Sequence, residues 1–72
     1  MMKFKNLEAE ITRTGMSNVE FSKKVGIETV TFYNRLKGAT TWKLTDMRKV
    51  QKFINERLNQ NYTLDYLFTS EE

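Results

Sequence analysis

The chain has 72 residues and a net charge of +3, with no proline, cysteine or histidine. That length accommodates one small domain, residues 1–72, around a single core of marginal stability. Without thiols or imidazoles there is no disulfide staple, no soft metal ligand and no usual partner for a nucleophile, so metal, cofactor and enzymatic activity are not expected.

Between Met2 and Thr14, Phe4, Leu7 and Ile11 recur at helical spacing with Glu8, Glu10 and Arg13 between them, and Gly15 is placed to end this first helix. "SNVE" then reads as a capping box, in which Ser17 accepts from the Glu20 amide while Glu20 reaches back. The short second helix that it opens carries Phe21 and Val25 on one face and closes at Gly26. A third helix is predicted from about Glu28 to Lys37, burying Phe32 and Leu36 and stopping at Gly38.

"ATTWKL" is a polar connection holding the only tryptophan, Trp42, which is expected to anchor it to the core. Thr45 is the expected cap of a fourth helix, with Asp46 at its positive end and Met47, Val50, Ile54 and Leu58 as its apolar stripe. "NQN" at 59–61 is a turn, Thr63 caps a last short helix "LDYLF", and residues 69–72 form an expected frayed tail. The fold class is all-α, with five helices.

Acidic residues are scattered, with no pair spaced for acid–base catalysis. No apolar run approaches the roughly 18–20 residues that span a bilayer, and the first residues lack a signal-peptide core, so neither membrane nor export is expected. Charge is uneven along the chain: residues 17–43 hold five cations against two carboxylates, whereas residues 44–72 hold four against five. Excess positive charge on the middle third favours a polyanionic partner.

Two short helices joined by a glycine-led turn, residues 17–37, form the outline of a helix-turn-helix. Ser22, four residues before Gly26, is small where two helices would approach closely. Phe21, Val25, Ile27, Phe32 and Leu36 make a common apolar seam, which leaves Thr29, Val30, Thr31, Tyr33, Asn34 and Lys37 facing outward or sideways.

"FSKKVGIETVTFYNRLKG", the polar loop after it, "WKLTDMRKVQKFI" and "TLDYLF" together resemble the Cro/repressor-type helix-turn-helix proteins, in particular small regulators of temperate phages of Gram-positive bacteria. The resemblance runs from about Phe4 to Phe68. It implies a regulator of a lysis–lysogeny switch in the bacterial cytoplasm, with helix three in the major groove of double-stranded operator DNA. Thr29, Val30 and Asn34 fall on the family's base-reading positions: Asn34 suits an adenine edge, and Val30 or a threonine methyl suits thymine. Thr31 and Tyr33 fall beside them, and Tyr33 either reaches a phosphate or packs its ring on the helix. Lys37, Thr40, Thr41 and Lys43 occupy the loop that runs along the phosphate backbone in the family.

Two positions depart from the family pattern. Asn18 stands where a glutamine commonly meets a phosphate, and Glu28 stands where serine or threonine commonly caps the recognition helix. A carboxylate suits a helix N-terminus but is repelled by phosphate. Glu28 thus admits a second expectation, implied by modulator-like members of the family: an antirepressor that grips a neighbouring phage repressor through the same surface. Tyr62, Tyr66 and Phe68 concentrate apolar area near the C-terminus, a candidate surface for a homodimer or partner.

Overall fold

The computed structural model describes residues 3–70, and within them all regular structure is helical. The elements are α1 (Lys5–Arg13), α2 (Asn18–Val25), α3 (Thr29–Lys37), α4 (Leu44–Leu58) and α5 (Leu64–Leu67). Met2, and Glu71 and Glu72 of the expected tail, lie outside the described residues. Thr69 and Ser70 are described: the Thr69 hydroxyl donates to the Asp65 carbonyl, and Ser70 is half-buried.

Most helix ends follow local chemistry. Both halves of the capping box at α2 form, with Ser17 Oγ accepting from the Glu20 amide and Glu20 accepting from the Ser17 amide, each at 3.1 Å. Thr63 accepts from the Tyr66 amide and so caps α5. Gly26 and Gly38 close α2 and α3 in left-handed conformations, φ +77° and +84°, which a side chain would strain.

Two starts differ from the sequence expectation. α1 begins at Lys5, because the Lys3 amide bonds to the Leu36 carbonyl and the Phe4 ring packs edge-on against Trp42 and Phe68, drawing that segment out of the helix. α4 begins at Leu44 with Lys43 at the N-cap and no side-chain cap. Thr45 therefore lies inside the first turn, where the backbone is already helical and cannot take the extended cap geometry.

The core gathers one face from every helix. Leu7 of α1, Phe21 of α2, Phe32 and Leu36 of α3, Val50 and Ile54 of α4 and Leu67 of α5 are fully buried. Phe21 and Phe32 lie 5.7 Å apart by ring centroid, and Phe53 packs edge-on to Phe21 at 5.4 Å. Each such ring removed from water contributes about 1.5–3 kcal/mol. A second aromatic group, Phe4, Trp42 and Phe68, joins the first through the Phe32–Trp42 contact at 5.9 Å.

Polar contacts lock the periphery. Asn55 both donates to and accepts from the Tyr62 backbone, and Gln51 donates to the same Tyr62 carbonyl, which pins the 59–63 turn onto α4. Arg57 donates twice to the Thr14 carbonyl, joining the ends of α4 and α1. Glu10, which lies between the apolar residues of α1 in sequence, is fully buried with them. Its carboxylate accepts from the Tyr66 hydroxyl at 2.8 Å and pairs with Arg13 at 3.3 Å. A buried carboxylate without such partners would be strongly unfavourable, so this latch is what lets α5 close over α1.

The two faces of α3 differ in what they contribute to stability. Phe32→Ala is expected to cost about 3–5 kcal/mol in urea unfolding, while Val30→Ala at a 66 % exposed position stays within about 0.5 kcal/mol. The latch carries a pH signature. The hydrogen bond to Glu10, and after it desolvation, raise the Tyr66 pKa above the ordinary tyrosine value. Its stabilisation is therefore fully present below about pH 10 and is lost as pH rises through the raised value. Unfolding series from pH 8 to 11 should show the gap between wild type and Tyr66→Phe constant at first and closing at the alkaline end.

Candidate functional site

α2 and α3 are joined by Gly26, Ile27 and Glu28, and the turn is held by the Ile27 amide donating to the Ser22 carbonyl at 2.9 Å. Ser22 is fully buried between the helices, as its small size predicts. Its hydroxyl donates to the Val19 carbonyl at 2.8 Å and lies 3.0 Å from the Thr29 hydroxyl. A hydroxyl has one proton, so Thr29 is the donor in that pair. Thr29 is half-buried, and its oxygen can only accept from an external group.

The rest of α3 divides sharply. Phe32, Arg35 and Leu36 face inward. Val30 is 66 % exposed, Lys37 is exposed, and Thr31, Tyr33 and Asn34 are half-buried along the outer side. The Asn34 carbonyl accepts from the Ala39 and Thr40 amides at the helix end, while its side-chain amide bonds to no described residue and keeps two donors and an acceptor free. At the opposite end Glu28 is exposed at the N-cap and caps no backbone amide. Its carboxylate accepts from the Thr31 hydroxyl at 3.1 Å, one turn along. Asn18 is the first residue of α2 and is half-buried.

Sequence reasoning missed Arg35. It counts among the cations of the middle third, yet it is only 7 % exposed. Nη1 pairs with Asp46 Oδ2 of α4 at 2.5 Å, and the guanidinium lies over the Trp42 ring, 5.7 Å from its centroid. The outward field of this region is therefore set by Lys23, Lys24, Lys37 and Lys43 against Glu20 and Glu28, all exposed. Spacing gives a partial signal: Arg35 follows Phe32 by three and precedes Leu36 by one, which places it on the apolar face.

The loop after α3 is tied down from within. Trp42 is buried against Phe4, Phe32 and Phe68, so it anchors the connection as expected. Its indole Nε1 is enclosed and bonds to nothing described. Thr40, Thr41 and Lys43 project from that loop and are exposed. Of the C-terminal residues, Phe68 packs into the Trp42 group, whereas Tyr62 and Tyr66 stack at 5.1 Å and only Tyr66, 37 % exposed, presents much surface.

Among the described residues no group of three or more acidic side chains is arranged to hold a metal ion, and no helix is long and apolar enough to cross a membrane. Comparison of the chain with protein-family models, curated proteins and solved structures finds no match.

The Arg35–Asp46 pair holds α3 and its following loop against α4. Asp46→Ala leaves a buried guanidinium uncompensated and is expected to cost about 2–4 kcal/mol in urea unfolding. Replacing both members, Arg35→Met with Asp46→Leu, should recover most of that loss.

Proposed function

We propose that the chain is a phage-type transcriptional regulator of a lysis–lysogeny switch, built on a Cro/repressor-like helix-turn-helix and acting through the outer face of α3. The observation that carries this reading is the division of α3: one face is committed to the core, while the other carries Val30, Asn34 and Lys37, and the Asn34 and Lys37 side chains form no hydrogen bond or ion pair among the described residues. Val30 is two-thirds exposed, one turn from an Asn34 side-chain amide that bonds to no described residue. A groove-reading surface has use for both.

In the operator reading, α3 enters the major groove of double-stranded DNA. Asn34 reads an adenine edge, Val30 meets a thymine methyl, and Thr29, which has spent its proton on Ser22, accepts from a cytosine or adenine amino group. Asn18, Tyr33, Lys37, Thr40, Thr41 and Lys43 hold phosphates and set the register. No bound cofactor takes part. A homodimer would place two such helices about one DNA turn apart.

One observation favours a second reading. Glu28 sits exposed at the tip of α3, where a groove would bring phosphates close, and Arg35 is withdrawn into the core instead of offsetting it. A surface made of a carboxylate, a free valine and an amide complements the arginine-bearing DNA-reading face of another protein. The chain would then be a modulator that occupies a neighbouring repressor and keeps it from its operator.

Anisotropy titrations against the chain's own upstream region, with and without the neighbouring repressor, separate the two. For operator binding, Asn34→Ala should lose about 1–3 kcal/mol of discrimination at one base pair. Equal affinity for operator and random duplex, even in low salt, would sink that reading. Glu28→Ser should tighten DNA binding if α3 enters a groove, and should weaken the complex with the repressor if α3 docks on protein.

A further inference from the structure

Lys3 lies far in sequence from the helix-turn-helix, but the fold brings it to the end of α3. Its backbone amide donates to the Leu36 carbonyl at 3.2 Å. Its side-chain methylenes lie in the space that a Cβ on Gly38 would occupy. The lysine stem is thus laid across the left-handed cap of α3, which removes part of the rotamer freedom that an ordering contact would otherwise cost.

Beside it is an open cavity of about 290 Å³, rimmed by Lys3, Thr40, Thr41 and Ser70 over Trp42 and Phe68. None of its described lining residues is acidic. The chain carries no carboxylate between Glu28 and Asp46, and Asp46 is already held by Arg35 and Lys49. Lys37 and Lys43 bracket the same loop and form no ion pair among the described residues. A lysine whose stem is laid on the helix cap, adjacent hydroxyl donors and flanking cations, with no carboxylate among the described rim residues, have the chemistry that a phosphate monoanion requires.

We propose that this rim is a phosphate-binding patch that takes a backbone phosphate of double-stranded DNA lying alongside α3, with Lys3 supplying the charge and Thr40 and Thr41 the hydrogen bonds. The inference rests on the operator reading and adds to it a contact from a residue far from the helix-turn-helix in sequence. Trp42 contributes by fixing the loop from beneath. Such a contact positions the protein on the duplex and reads no sequence.

The test is a salt series of anisotropy titrations with operator and random duplexes, between 50 and 200 mM, on the full chain. Lys3→Gln should weaken binding to both duplexes alike. It should also make the log–log salt slope shallower by about 0.9, so that the wild-type advantage shrinks about 3.5-fold across the range. Lys52→Gln removes the same charge from the exposed side of α4 and should leave the slope unchanged. DNA binding that depends on Asn34, together with an unchanged slope in Lys3→Gln, overturns the patch and leaves the operator reading standing. Absence of binding to any duplex overturns both.

Discussion

The guanidinium of Arg35 has been taken out of water, and the arrangement around α3 depends on how that cost is met. Asp46 supplies the opposite charge from α4, and Trp42 supplies a ring face from the loop between. The pair therefore joins three consecutive segments of chain at one point. Apolar contact alone would allow α3 to slide or rotate on its neighbours, because hydrophobic burial has no direction. A short ion pair does have direction. It fixes which face of α3 is turned inward and so which residues are left outside.

The same pattern recurs at α1. Glu10 is buried, and it too is satisfied by groups from a distant segment, the tyrosine hydroxyl of α5 and the neighbouring Arg13. Both ionised residues lie three places after a buried apolar residue and one before another, Leu7 and Ile11 in one case and Phe32 and Leu36 in the other. In this domain, small enough to bury little apolar area, two helix faces each devote a position to a charge that selects a partner. The specificity gained is in register, which apolar packing provides only through shape.

This explains what could be read from the residues alone. Helix number, the capping box, the glycine stops and the apolar stripes are local properties, so spacing and residue type suffice for them. Ser22 and Trp42 were also legible, the first from its size beside Gly26 and the second from its isolation in a polar loop. The role of Arg35 was not, since its partner lies eleven residues away and its charge argues for solvent. The proton balance of Thr29 was equally hidden: only the Ser22 bond to Val19 decides it. The late start of α1 depends on Trp42 and Phe68, both far along the chain from it. The α3 face itself was outlined by spacing, but its chemistry, with Glu28 forward and Arg35 withdrawn, needed the three-dimensional arrangement.

Phe4 and Phe68 press on the same indole, with their ring centroids 6.3 Å apart. Synthesis is directional, so the N-terminal ring emerges from the ribosome long before the residues that complete its environment. Helices α1 to α3 all precede Leu67, which is fully buried, and Phe68 in the chain. Until then the Trp42 group lacks one wall and α1 lacks its cover. The aromatic group around Trp42 can therefore close only after the chain has been made as far as Phe68.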